Sequence, residues 1–165
     1  MMRALGLAAL ATFTADQASK LAVIHLLNLP YLGEMNVLDP ILNFRWAENR
    51  GVNFGLFAHG SDLARWGLVA LALVISAWVV TWVRREKFGL WAQISSGLLV
   101  GGALGNVVDR IAYGYVADFL NMSCCGFENP YAFNVADIAI FAGALGLVLF
   151  TGKGGKQPPV RTMTP

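Results

Sequence analysis

The sequence predicts an all-α membrane protein built from four transmembrane helices, with short strands lying on its outer surface. Three observations carry that reading. Hydrophobic residues make up 56% of the chain and charged residues only 13%, far from the balance of a soluble domain. Two stretches, Trp66 to Val83 and Gly89 to Val108, run without a charge and reach the roughly 18–20 residues a helix needs to cross a bilayer. Finally, a carboxylate, Asp137, interrupts the apolar stretch Tyr131 to Phe150. Such a group costs roughly 2.5–3.5 kcal/mol on insertion scales and calls for a functional explanation.

The first span covers about 4–29 and is interrupted by Asp16, Gln17 and Lys20. Met1-Met2-Arg3 and Ala11-Thr-Phe-Thr-Ala15 have the look of a cleaved leader. Yet apolar sequence resumes after Lys20, and Asp16 precedes Lys20 by four residues. That is the favourable order for an intrahelical ion pair, so a retained helix explains both features. The second span is placed at 62–84, the third at 89–111 and the fourth at 131–151. These leave outer connections at 30–61 and 112–130. Within the first of them, Pro40-Ile-Leu-Asn-Phe-Arg-Trp-Ala47 alternates imperfectly, as a short strand or pair of strands would. Residues 1–152 thus form one membrane domain. The tail 153–165 lacks apolar periodicity and reads as a disordered cytoplasmic end.

Orientation follows from lysine and arginine. Arg3, the Arg84, Arg85 and Lys87 connection, and Lys153, Lys156 and Arg161 mark the cytoplasmic side, with both termini there. The third connection has neither Lys nor Arg while carrying Asp118 and Glu128. The formal charge of +2 reflects this bias and gives no support to nucleic-acid binding.

Polar residues gather at the outer boundary. Gly97, Gly101 and Gly105 recur every four residues, a face suited to close helix packing. Asn106 and Arg110 continue that face outward, Arg110 either snorkelling, pairing with its neighbour Asp109, or doing polar chemistry. Asn134 and Asp137 share a face of the fourth span, placing the carboxylate about 9 Å from the start of the segment at 1.5 Å per residue. Asp118, in the outer connection, can meet it at that level. Two carboxylates sharing a proton can do general acid–base work on an amide; they can equally bind a cation or relay protons.

Other chemistries find less support. His25 and His59 lack a carboxylate–nucleophile arrangement, and Cys124-Cys125 supply too few sulfurs for a zinc framework. No metal and no cofactor are expected. The Trp residues near span ends read as an interfacial belt.

The motifs themselves are Asp16-Gln-Ala-Ser-Lys20, Glu48-Asn-Arg-Gly-Val-Asn-Phe-Gly55, Gly105-Asn-Val-Val-Asp-Arg110, Gly114-Tyr-Val-Ala-Asp-Phe119 and Phe133-Asn-Val-Ala-Asp137. In this order, around four spans, they resemble the bacterial lipoprotein signal peptidases, or type II signal peptidases, over nearly the whole chain. The resemblance implies a four-helix membrane domain with a small extracytoplasmic sheet and a partly helical flap. It also implies an aspartyl endopeptidase of the inner membrane, a monomer, that removes the signal peptide of a prolipoprotein just before its diacylglyceryl-modified cysteine. Asp118 and Asp137 would be the catalytic pair. Asn49, Gly51, Asn106, Arg110 and Asn134 would support them or bind substrate, and Asp16 and Lys20 would form a structural ion pair. Partners are then prolipoproteins and membrane lipids. Val52-Asn53 departs from the two small residues many members carry.

Three competing readings stand beside it. A proton- or cation-coupled transporter would use Asp16, Lys20, Asp109, Arg110 and Asp137 as a charge path, against the absence of internal repeats. A metal-dependent lipid transferase would use Asp109 and Asp118. A purely structural membrane protein leaves the clustered acids unexplained.

Overall fold

The computed structural model describes residues 2–38, 41–51, 62–123 and 129–152. Val52, Asn53, His59, Cys124, Cys125, Glu128 and the tail 153–165 lie outside the described residues. In chain order the elements are helix α1 (Arg3–Leu21), the short helix α2 (Leu29–Leu32), strands β1 (Glu34–Leu38) and β2 (Leu42–Asn49), helices α3 (Asp62–Glu86) and α4 (Leu90–Ala112), strand β3 (Val116–Met122) and helix α5 (Val135–Thr151).

Helix α4 is central and packs against α1, α3 and α5. Its glycine face makes that possible. A Cβ on Gly97 would sit 2.5 Å from the Leu5 carbonyl oxygen, and one on Gly105 would collide with the Asp16 carboxylate. The face therefore brings α1 into backbone contact, as small residues do between membrane helices. Around it Leu5, Val79, Val83, Leu99, Val100 and Leu147 close an apolar core.

Two helix boundaries differ from the hydropathy pattern. The first span is not one continuous α-helix to residue 29: α1 widens into π-type turns over Ala22–Leu26, and the chain breaks at Asn28, whose φ of 51° is left-handed. Pro30 can then occupy the first turn of α2. The fourth helix begins at Val135 rather than at Tyr131. Phe133 is held extended by a bridge to Leu120, its N–H donating to the Leu120 carbonyl at 2.9 Å, so helix can form only beyond it. Among the described residues only α3 is long and apolar enough to cross a membrane by length and composition alone; α5 has 17 residues.

The three strands form one antiparallel sheet in the order β1-β2-β3. Strand β2 pairs Ala47 with Asp118 and Asn49 with Val116, and its register shifts between Phe44 and Ala47. Val116, Ala117, Asp118 and Phe119 are all buried, because β3 has β2 along one edge and the helix ends beneath it. Phe44 meets Phe119 edge-on at 5.6 Å, and Val23 and Leu29 complete this second apolar cluster. The sheet thereby fastens Val116–Met122 over the ends of α4 and α5.

Candidate active site

The site begins with a helix cap. Asn134 has extended backbone and occupies the N-cap of α5, its side-chain oxygen accepting from the Asp137 N–H at 3.0 Å. Asp137 returns the bond, its Oδ2 accepting from the Asn134 N–H at 3.2 Å. This reciprocal box fixes the Asp137 carboxylate in the first helical turn, where the helix dipole favours a negative charge. Its other oxygen, Oδ1, accepts from the Asn106 side-chain amide at 3.0 Å.

The spare side of the same cap reaches the second carboxylate. Asn134 Nδ2 donates to Asp118 Oδ1 at 2.6 Å. Asp118 is held on β3 by its pairing with Ala47 and by the Phe119 and Leu120 N–H groups, which both donate to the Phe133 carbonyl. Burial first, and then the neighbouring Asp137 charge, push the Asp118 carboxyl from 3.8 up to about 6; the Asn49 and Asn134 amides and the Lys20 ammonium pull the other way. Asp118 is 3% exposed, whereas Asp137 is half-buried.

Behind this pair lies a buried ionic cluster. Lys20 Nζ is 2.9 Å from Asp16 Oδ2, 2.7 Å from Asp109 Oδ2 and 3.1 Å from Asn106 Oδ1. Those three acceptors match the three donors of an ammonium. Asp16 Oδ1 accepts from the Ala136 N–H at 3.0 Å, and Asp109 Oδ2 accepts from the Ala117 N–H at 3.2 Å. The cluster thus ties α1, α4, β3 and the first turn of α5 together. It also orients Asn106: its oxygen faces Lys20, so its NH₂ must face Asp137.

Two residues here were not singled out by sequence reasoning for this role. Asp109 pairs with Lys20 on another helix, and Gln17 Nε2 lies 3.1 Å from both Asp16 Oδ2 and Asp109 Oδ1. The sequence sets Asp109 beside Arg110, but adjacent helical residues point about 100° apart and do not face each other. The available signal was the spacing of three between Asn106 and Asp109.

Asn49 ends β2 with its side chain exposed, and its oxygen accepts from the Gly51 N–H at 3.0 Å. That small turn requires glycine: Gly51 has a φ of +96°, and a Cβ there would meet Leu68 at 2.6 Å. Arg110 does not pair with Asp109. Its Nη1 caps the Asn106 carbonyl at 3.4 Å, and its buried Nε has no partner among the described residues. It stands at one end of an apolar slot of about 260 Å³ between α3, α4 and α5, walled by Leu71, Ile75, Leu99, Ala103 and Ile140. An extended apolar segment entering along this slot would meet Asn106 and Arg110 at its polar end. Among the described residues no three His, Cys, Asp or Glu side chains gather in a way that would hold a metal ion.

A protein-family model described as signal peptidase (SPase) II matches residues 8–152. The chain is 45% identical over 148 residues to a lipoprotein signal peptidase of Methylobacterium sp. (strain 4-46), covering 89% of this chain and 88% of that one. It is 41% identical over 160 residues to a lipoprotein signal peptidase of Aeromonas hydrophila, covering 96% and 93%. Two solved structures, each of a bacterial membrane enzyme obtained by the in meso method, superpose with TM-scores of 0.73 and 0.75 at 24% identity. They cover 92% and 90% of this chain and 92% of each of those chains. At that identity the superposition speaks for the fold alone.

Proposed function

The chain belongs to the signal peptidase II family, and from that membership we propose that it is a membrane aspartyl endopeptidase. It removes the signal peptide from diacylglyceryl-modified prolipoproteins by cutting before the lipidated cysteine. The observation that carries the reading is the Asn134 cap, which binds Asp118 through its side chain and Asp137 through its backbone.

The reaction needs one proton between the two acids. Burial and the neighbouring Asp137 charge hold the Asp118 carboxyl up to about 6. We assign the resting proton to Asp118 on that basis. Asp137 then takes a proton from a water while Asp118 gives its own toward the scissile carbonyl oxygen, forming a tetrahedral diol. Collapse breaks the C–N bond as Asp137 passes its proton to the leaving nitrogen and Asp118 takes one back from a diol hydroxyl. The products are a signal-peptide carboxylic acid and a free amine on the lipidated cysteine, with one proton again on the pair. Asn106 holds Asp137, Asn49 favours the charged form of Asp118, and Arg110, whose Nε has no partner among the described residues, receives the substrate backbone at the end of the slot.

Bilayer placement explains the surface. Val74 and Trp78 of α3 and Phe141 and Val148 of α5 are 62–73% exposed, an apolar girdle that water would not tolerate but lipid does. The protein lies in the bacterial inner membrane with both termini cytoplasmic and the acids at the outer face, acting as a monomer. A scissile bond there must leave its helix, since membrane helices satisfy their own carbonyls. The diacylglyceryl chains stay in the bilayer and hold that bond at headgroup depth, each buried methylene contributing about 0.8 kcal/mol.

The test is cleavage of a purified diacylated prolipoprotein, beside Asp137→Asn and an unlipidated precursor. Native protein should release the signal peptide, the variant should not, and the unlipidated precursor should turn over far more slowly. Persistent processing by Asp137→Asn would remove the central assignment.

A further inference from the structure

At the end of the molecule opposite the acids, α1 and α3 flank a cavity of about 820 Å³ above the start of α4. Leu5, Val80, Val83 and Phe88 form an apolar wall, while Arg84, Lys87 and the Gln93 amide sit at its mouth. A gap with such a wall, open at the edge of a bilayer, offers an apolar berth of the kind an acyl chain fills.

The mouth then selects the head. Arg84 and Lys87 are exposed, and neither forms an ion pair among the described residues. Glu86, the acid between them, does not line the cavity. Lys87 has a φ of 53°, a left-handed conformation at a helix end that glycine or asparagine usually takes, so a lysine there costs stability that its side chain must offset. Gln93 Nε2 donates to the Phe88 carbonyl at 2.9 Å, which steadies the loop carrying Lys87. Trp82 packs edge-on against Phe88 at 5.1 Å and stacks on Trp78, the aromatic placement of a membrane interface. Depth, apolar wall and paired cations coincide.

We propose that this cavity is a binding site for one anionic phospholipid of the cytoplasmic leaflet, its acyl chain along Leu5 and Val83 and its phosphate between Arg84 and Lys87. The site rests on the bilayer placement of the helices and is independent of the peptidase chemistry at the far end. Its function is to bridge α1 and α3, which both line the cavity.

The experiment uses the full chain in nanodiscs of equimolar phosphatidylglycerol and phosphatidylcholine with matched acyl chains, and reads retained lipid by native mass spectrometry. About 1 kcal/mol per basic side chain near a membrane surface is about fivefold, so one or two cations give a five- to thirtyfold excess of phosphatidylglycerol. Arg84→Gln with Lys87→Gln should bring the ratio close to parity. Arg85→Gln, which changes a neighbouring charge outside the cavity, should leave it unchanged, and millimolar inorganic phosphate should not displace the lipid. Parity in the native protein, an undiminished excess in the double variant, or equal loss in Arg85→Gln would each overturn the site. Competition by phosphate would show a free-anion site in its place. Prolipoprotein cleavage measured on the same preparations separates failure here from failure of the peptidase reading.

Discussion

Asn134 donates its side-chain amide to Asp118 Oδ1 at 2.6 Å from the N-cap of α5. The residue that starts a helix is therefore also the residue that joins two acids from different elements, and folding of α5 and assembly of the pair become one event.

These two roles separate by substitution. Asn134→Ser keeps a good N-cap oxygen but has no NH₂ to reach Asp118; Asn134→Ala loses both. Serine should leave thermal stability within about 0.5 kcal/mol of the native value and alanine should lower it by about 1 kcal/mol. Both should lower kcat/KM on the order of a hundredfold. Native turnover by the serine variant, measured on a lipidated precursor, would mean the amide does not serve the acids.

The alkaline side of the pH profile should belong to Asp118. Burial holds its proton up to about 6, so kcat/KM should fall as pH rises through that region, with an apparent value belonging to the coupled pair. The Asn49 amide favours the charged form; removing it makes proton loss harder. Asn49→Ala should accordingly move the alkaline limb to higher pH, and a move to lower pH would contradict the placement of that amide.

Stability should carry the same signature. Because the folded state binds the Asp118 proton more tightly than the unfolded chain does, its contribution is complete below 3.8 and is lost as pH rises through about 6. Asp118→Asn removes that loss. Compared with the native protein it should be inactive yet more stable above pH 6, on the order of 2 kcal/mol once screening by solvent is allowed for. Parallel stability–pH curves for the two proteins would place the acid in water.

Lys20 neutralises two buried carboxylates, Asp16 at 0% and Asp109 at 1% exposure. Lys20→Met would leave both charges without a counterion in the interior and should cost about 3–5 kcal/mol. A thermal melt shifted by less than the equivalent of about 1 kcal/mol would show that the carboxylates find water or protons instead.

Gly105→Ala drives a methyl group into the Asp16 carboxylate, whereas Gly6 has nothing within 4 Å of a new Cβ. The first should lose about 1–3 kcal/mol by overpacking. The second should stay within about 0.5 kcal/mol. Equal melts for the two variants would show that α1 can withdraw from α4 without cost.

Short-range geometry is legible in the order of residues alone. Apolar runs mark the long helices, the spacing of Gly97, Gly101 and Gly105 marks the face of α4 on which α1 lies, and Asp16 and Lys20 meet because four residues make one turn. Asn134 and Asp137 share the first turn of α5 for the same reason. Tertiary structure decided the rest. Strand β3 has too little alternation to announce itself, since four successive residues are buried under the sheet. The start of α5 is set by the Phe133–Leu120 bridge, a contact with another element. Asp109 turns to Lys20 rather than to Arg110 because the partner comes from α1, 89 positions earlier in the chain. A periodic pattern reports which face of an element is buried; only packing reports which side chain from elsewhere is waiting there.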